Sequence, residues 1–294
     1  MSTYTCRWCG FVGDAGGLTA CPLCGAPVDV REAVSESGWE ELPPIADMAR
    51  LQCGRSRCQV EGAYVPVADF DLAEGDGVYF AHHQLLWMDP TVRISTMSLK
   101  GGWKRMFAGL PLVMVQAHGP GHVAFSRDAP GEMLAVPLRA GAALDVREHV
   151  FVVANHAVSY DWFPTNVWYT CRNGDDTETV YPTGQFMDRF LAGAGRPGLL
   201  LLHAAGNAFV RELAPGQRIL IKPTSLLYKE PSVSMELHLE QPALGGWQPF
   251  GRWGNTYVCL ALTGPGRVAV HSAYDHLELP GRIVRDSGAT VTRW

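Results

Sequence analysis

Four cysteines near the start of the chain have the residue type and spacing of zinc ligands. Cys6 and Cys9 form one Cys-x-x-Cys pair, Cys21 and Cys24 form a second, and a glycine follows each pair. Two intervening residues let a tight turn direct both thiolates at one ion, and the glycine permits close approach of the backbone to the sulfur atoms. The pattern predicts a zinc ribbon over residues 1–28, in which these four thiolates bind one structural Zn ion.

A set of four thiolates leaves no coordination position open for water or a substrate. The zinc is therefore expected to fold the small module and not to catalyse a reaction. A redox-active cysteine pair is the competing interpretation, but it requires a βαβ setting, and about 25 residues have too little core to fold without a metal. The ribbon is interpreted as a docking module, with a protein as its possible partner.

The histidines do not form the metal site of a cupin, which requires His-x-His, a following acidic residue and a later histidine. His82 and His83 are adjacent, so on a strand they point to opposite faces. His118 and His122 flank a Gly-Pro-Gly turn, and a hairpin there would place them opposite each other. Turn histidines are usually solvated, so no metal is assigned to this pair.

The remaining candidates for chemistry are weak. Cys53 and Cys58 lack a second pair nearby, which disfavours a second zinc site, and the pattern favours small buried apolar groups at Cys171 and Cys259. A solvated hairpin turn accounts for the acidic cluster Asp175, Asp176 and Glu178. No nucleophile elbow, phosphate loop or dinucleotide fingerprint is present. The sequence therefore predicts no catalytic residue, no cofactor site apart from the zinc, and no enzyme activity.

Charge and hydropathy disfavour several classes of protein. The 294 residues carry a net charge of −5, and the 24 basic residues are scattered singly, with only four lysines among them. Nucleic-acid binding relies on clustered Lys and Arg, so a nucleic-acid partner is disfavoured. No segment reaches the roughly 18 uninterrupted apolar residues of a membrane span. We therefore expect a cytoplasmic protein without disulfides.

The elements that follow the ribbon are predicted to be short strands. The sequence contains 32 glycines and 20 prolines. They separate brief apolar or alternating runs of residues, which is typical of a β-sandwich or barrel. One helix is predicted over Thr183–Ala192. The clearest strand runs are Val78–Ala81, Leu112–Ala117, Val123–Ser126, Val150–Ala154, Leu199–His203, Arg218–Lys222 and Tyr257–Leu262.

One pattern of strands and glycine turns occurs three times. Its first half begins at Gly75, at Gly141 and at Gly216. Its second half surrounds a glycine turn, at residues 119–121, at Gly206 and at residues 264–266. Such short turns need the conformational freedom of glycine. The sequence therefore predicts three β-units, at 51–138, 139–212 and 213–294, after an acidic linker at 29–50. The last of these ranges is expected to end in a C-terminal hairpin.

The body of the chain resembles the Altered Inheritance of Mitochondria twenty-four family of TRAP-like β-domain proteins, from about Leu51 to Ser272. No single motif carries the resemblance, but the order and spacing of five motifs do. They are Gly75-Asp-Gly-Val-Tyr79, Leu85-Leu-Trp-Met-Asp89, Gly101-Gly-Trp-Lys-Arg105, Gly131-Glu-Met-Leu134 and Leu262-Thr-Gly-Pro-Gly266.

The resemblance implies three units per chain, each a shortened double-stranded β-helix related to the trp RNA-binding attenuation protein, and three chains closed into a ring. Ring closure also removes exposed sheet edges, which is a physical reason for assembly. Eukaryotic relatives act in mitochondrial organisation. An aromatic insertion at residues 161–197 departs from the usual family length, and its interpretation is either a recognition surface or a hairpin and helix packed on their own unit.

Three functions follow as hypotheses. The preferred one is a non-enzymatic oligomeric scaffold, a homotrimer with the zinc ribbon at its periphery. The second is a small-ligand or RNA-binding regulator resembling the attenuation protein, against which the net negative charge stands. The third, a cupin-type metalloenzyme, requires a metal in addition to the ribbon zinc.

Overall fold

The structure is a computed structural model, and it describes residues 3–6, 11–14, 20–23, 38–41, 49–97, 114–195, 197–241, 256–277 and 282–293. Within these residues the regular structure consists of strands, apart from two single turns of 3-10 helix at His82–Gln84 and Pro223–Ser225. The fold is all-β, as the turn-rich sequence predicts.

The strands before and within the first third of the body are short, and β5 and β6 alternate between more and less buried residues. Their bounds are β1 Thr3–Thr5, β2 Val12–Asp14, β3 Glu40–Glu41, β4 Ala49–Cys53, β5 Ser56–Glu61, β6 Val67–Leu72, β7 Gly77–Ala81, β8 Leu85–Met88, β9 Arg93–Thr96, β10 Met114–His118 and β11 Gly121–Ser126.

The middle and last thirds continue in the same manner. The middle strands are β12 Glu132–Leu138, β13 Ala143–Arg147, β14 Phe151–Asn155, β15 Val158–Pro164, β16 Tyr169–Asn173, β17 Asp176–Val180, β18 Phe186–Ala192 and β19 Gly198–Ala204. The last are β20 Ala208–Leu213, β21 Arg218–Ile221, β22 Leu226–Lys229, β23 Ser234–Gln241, β24 Tyr257–Thr263, β25 Gly266–His271, β26 Arg282–Asp286 and β27 Thr290–Arg293.

The pairing of these strands repeats three times, and each repeat is a unit of five strands. Unit 1 is β7 to β11, unit 2 is β13, β14, β15, β18 and β19, and unit 3 is β21 to β25. In every unit the fourth strand lies between the first and the third. The fifth lies between the second strand and the strand that precedes the unit, which is β6, β12 or β20. The chain thus contains three copies of one β-topology.

Successive units are joined by one rule. The first strand of a unit pairs antiparallel with the second strand of the next unit, so that β7 pairs with β14 and β13 pairs with β22. Each junction therefore continues a sheet from one unit into the next, with six strands in one sheet and seven in the other.

Three apolar clusters fill the units between their sheets. In the first cluster, the ring centroids of Phe70 and Phe80 lie 5.8 and 4.6 Å from that of Phe125, respectively. Phe151 and Phe190 are 4.8 Å apart in the second, and leucines of β24 line the third. Burial of each such side chain contributes about 1.5–3 kcal/mol, so alternating apolar residues select the face of each strand that packs inward.

A side-chain hydrogen bond marks the same turn in all three units. Asp89, Asn155 and Glu230 lie at the end of the second strand, and the side chain of each accepts the backbone N–H of the second residue of the fifth strand, at distances of 2.9, 3.2 and 3.1 Å. In unit 2 the turn between the fourth and fifth strands begins at Gly193 and joins β18 to β19. The prediction that Gly206 corresponds to the glycine turns at residues 119–121 and 264–266 is therefore wrong. Gly206 lies in the next turn along the chain, between β19 and β20.

The aromatic insertion is a hairpin of β16 and β17 between the third and fourth strands of unit 2. The predicted helix over Thr183–Ala192 is wrong, since Phe186–Ala192 is the strand β18 and pairs with both β13 and β15. Neighbours on two sides satisfy the backbone of β18, and this tertiary pairing overrides the local helical tendency. The predicted C-terminal hairpin is wrong, because β26 and β27 lie in different sheets. Strand β26 pairs with β16 and β27 with β23, so these strands contact two units.

The segment predicted as a linker contains one short strand. Glu40 and Glu41 form β3, which pairs with Val210 and Phe209 of β20. The body also begins slightly before Leu51, because β4 starts at Ala49.

Candidate functional site

Two strands, β8 and β21, lie at the ends of their sheets, although their counterparts in the other units form the junctions between units. No described strand pairs with the outer edge of β8, the second strand of unit 1, or with that of β21, the first strand of unit 3. Their counterparts in the inner junctions are paired on both sides. The unpaired N–H and C=O groups of such an edge are a template for another strand. The chain therefore presents half of a junction at each end.

The side chains on these edges are apolar and exposed. Leu86, Trp87 and Met88 on β8 are 52%, 48% and 43% exposed, and Leu220 on β21 is 44% exposed. The corresponding strands β14 and β22 are almost entirely buried. Consecutive exposed apolar residues on an edge strand are unusual in a monomer, because they favour association with another chain.

The junction between units 2 and 3 contains a buried charged cluster. Asp145 on β13 lies directly opposite Lys229 on β22, and the Lys229 Nζ atom is 2.9 Å from Asp145 Oδ2. Arg189 on β18 also binds Asp145, with its Nε 2.6 Å from Oδ1. The Asp145 side chain is fully buried and Lys229 nearly so. Both cations together compensate the carboxylate, and Asp145 lowers the energy of the charged Arg189, whose pKa its hydrogen bond raises.

The predicted zinc ligands are only partly described. Cys6 and Cys21 are buried, each at 2% exposure, and the Cys6 N–H donates to the Phe11 carbonyl at 2.8 Å beside the small β1–β2 hairpin. Burial of these two residues in so small a module fits thiolate ligands. Cys9 and Cys24 lie outside the described residues, so the zinc site stays a prediction.

The histidine arrangement differs from the predicted one. His118 and His122 do not face each other, because β10 and β11 belong to different sheets. The His118 ring lies 5.2 Å from that of His156, whereas His122 Nδ1 is 3.2 Å from Asp69 Oδ2. His82 and His83 lie in a 3-10 turn and not on a strand.

The other candidate groups are structural. Cys58 and Cys171 are buried in apolar clusters, and burial raises the pKa of the partly exposed Cys259. Asp175, Asp176 and Glu178 are exposed on the β16–β17 hairpin. No group of three or more His, Cys, Asp or Glu side chains within the described residues has the arrangement of a metal site.

Most aromatic residues of the insertion pack against other side chains of the same chain. Trp162 contacts Phe186 edge-on at 4.8 Å, and the Arg285 guanidinium lies 5.5 Å from the Trp168 ring. Tyr169 is fully buried, while Tyr181 is 39% exposed.

Sequence reasoning missed the two open edges. In the sequence the residues of β8 belong to the motif Leu85-Leu-Trp-Met-Asp89, and whether a strand edge is paired leaves no local signal. A comparison of the three units would have shown the difference, since Met88 occupies the position of Lys229.

Nothing in the described residues is a helix long and apolar enough to cross a membrane.

The fold and its junctions define the class: an all-β protein of three repeated units that share sheets. The chain belongs to the family described as Mitochondrial biogenesis AIM24, whose model matches residues 58–273. Protein SPYM3_0169 from Streptococcus pyogenes has a similar structure, with a TM-score of 0.53 at 19% sequence identity. The match covers 75% of this chain and 94% of that protein, and at this identity it shows the fold alone. No curated protein matches the chain.

Proposed function

We propose that this protein is a non-enzymatic β-scaffold that assembles head to tail into a closed ring of three chains. The observation that carries the proposal is the pair of open, apolar edges, β8 at one end of the body and β21 at the other. An interface between different surfaces of identical chains produces a ring when its rotation closes. A ring satisfies both edges of every chain at once.

The role of the ring in this proposal is to present a rigid surface to partners. The zinc ribbon, bound through Cys6, Cys9, Cys21 and Cys24, is proposed as the peripheral docking module. The ribbon lies outside residues 58–273, which the family model matches, so it is an addition to the family body in this chain.

Native mass spectrometry of the full-length protein, purified without chelator, tests the proposal. The expected result is a trimer, and a monomer or an open series of growing assemblies would overturn it. The Trp87→Lys variant places a charge on the β8 edge and is expected to shift the protein to monomers. Tyr64→Lys is the matched control, since Tyr64 is 85% exposed and lies in the β5–β6 loop, on neither edge strand.

The variant also separates this interface from any other. If Trp87→Lys remained folded by circular dichroism and kept the mass of the native assembly, β8 would not form the interface. If Tyr64→Lys dissociated equally, the effect would be one of added charge and not of the edge.

A further inference from the structure

Each inner junction supplies a template for how two chains meet. In the junction of units 1 and 2, Tyr79 lies opposite Ala154 and Phe80 opposite Val153. In that of units 2 and 3, Asp145 lies opposite Lys229 and Val146 opposite Tyr228. Counted from the shared turn residues Asn155 and Glu230, the two registers are identical. The register is thus a property of the repeated unit.

The same count applies to the open edges. Asp89 is the equivalent of Asn155 and Glu230, so Met88 takes the position of Ala154 and Lys229, and Trp87 that of Val153 and Tyr228. Leu220 is the third residue of β21, as Tyr79 is of β7 and Asp145 of β13.

We infer that β8 of one copy of this chain pairs antiparallel with β21 of the next, in a register that places Met88 opposite Leu220 and Trp87 opposite Ile221. The inference rests on the proposed ring and adds the partner strand and the register. In it, two exposed apolar side chains meet at the position that the Asp145–Lys229 pair occupies between units 2 and 3.

The change from charge to apolar side chains also gives the interface its specificity. Ala261 lies opposite Leu220 on β24, where Arg189 lies opposite Asp145 on β18, so all three charged positions of the inner cluster are apolar at the outer ends. An outer edge paired with β22 would leave Lys229 buried without its carboxylate, and one paired with β13 would remove Lys229 from Asp145. The ends therefore match each other better than they match the opened junction of units 2 and 3.

An exchange of charge tests the register. Leu220→Asp alone and Met88→Lys alone each place one uncompensated charge in the junction, and each is expected to weaken association about a hundredfold or more. The double variant recreates the Asp145–Lys229 pair and is expected to restore the native assembly, measured by native mass spectrometry over a range of protein concentrations. Failure of the double variant to associate better than either single variant would contradict the register.

Cysteine cross-linking tests the same pair without a buried charge. Opposite residues of antiparallel strands have Cβ atoms about 4.5–5.5 Å apart, close enough for a disulfide after small shifts. A Met88→Cys chain mixed with a Leu220→Cys chain is expected to form a disulfide-linked dimer on oxidation. Ile219→Cys replaces Leu220→Cys in the control, because its side chain points to the other face of the sheet and should not cross-link.

These outcomes distinguish the register from the scaffold. A native trimer that shows neither charge rescue nor the Met88–Leu220 cross-link would overturn the register and leave the scaffold standing. A native monomer would overturn both. A disulfide formed within a single Met88→Cys, Leu220→Cys chain, and never between chains, would show that each chain closes on itself, which also contradicts both.

Discussion

His203 and His271 occupy the same position in units 2 and 3, the sixth residue of the fifth strand. His203 Nε2 is 3.1 Å from the Ala129 carbonyl, and the two ring nitrogens of His271 lie 3.2 and 3.0 Å from the carbonyls of Ala205 and Thr224. Burial lowers the pKa of both histidines, and Arg127 and Arg147 lower the pKa of His203 and His271 respectively. The neutral form is therefore favoured in the folded protein.

Below about pH 6.5, the free energy of unfolding is expected to decrease as the pH decreases. Below that pH the unfolded chain binds protons at His203 and His271 that the folded chain resists, so acid favours unfolding. This stability is present above the unfolded pKa and is lost as the pH falls through the lowered folded pKa. Melting temperatures measured from pH 8 to pH 5 check the prediction.

A double variant, His203→Gln with His271→Gln, serves as the control for that pH profile. Its melting temperature should depend less on pH than that of the native protein, even if its stability at pH 7 is lower. An unchanged slope would assign the acid sensitivity to other groups.

At the scale of the element, the turn between the fourth and fifth strands has almost no room for a side chain. A Cβ atom at Gly119 would lie 2.5 Å from the Ala73 carbonyl oxygen, and one at Gly264 would lie 2.5 Å from that of Ala214. These neighbours are backbone atoms and cannot rotate away. The two glycines hold the same position in units 1 and 3, where their N–H groups donate to the carbonyls of Asp76 and Gln217. Unit 2 has Ala192 at that position, so the constraint belongs to the tight turns of units 1 and 3.

Gly119→Ala is therefore expected to lower the free energy of unfolding by about 1–3 kcal/mol, since the turn must shift to relieve the overlap. Gly193→Ala is the matched control in unit 2, because its nearest atom would be the Ala157 carbonyl oxygen at 3.5 Å, an ordinary contact. Its effect should be within about 0.5 kcal/mol. Urea unfolding measures the free energy of unfolding of both variants. An equal loss in the two variants would argue against the steric explanation.

At the scale of the whole molecule, assembly and zinc binding are expected to be independent. The proposed interface uses β8 and β21 of the body, whereas the proposed zinc site lies in residues 1–28. Treatment with a chelator should remove one Zn per chain and leave the number of chains in the assembly unchanged. Native mass spectrometry before and after treatment measures both quantities.

Cysteine variants provide the comparison for that experiment. Cys6→Ser should abolish the bound zinc, while Cys259→Ser, at a half-buried cysteine of the third unit, should retain it. Dissociation of the assembly on loss of zinc would show that the ribbon contributes to the interface.

The sequence by itself determined the local features of this protein. Apolar runs such as Val150–Ala154 place strands correctly, since β14 is Phe151–Asn155. The Cys6 to Cys24 spacing predicts a zinc ligand set, which stays a prediction. Strand period, turn glycines and ligand spacing are encoded within a few residues, so they can be recognised without knowledge of the neighbours. The threefold repetition was also visible, apart from the misplaced equivalence of Gly206.

Only the tertiary structure decided which strands lie beside one another. Phe186–Ala192 is a strand because β13 and β15 flank it, and His118 and His122 are separated because a turn takes the chain from one sheet to another. Met88 and Leu220 are ordinary strand residues in the sequence, and they become exposed because no described strand covers their edges. Strand pairing is set by contacts between distant residues, and so the open edges had no local signal.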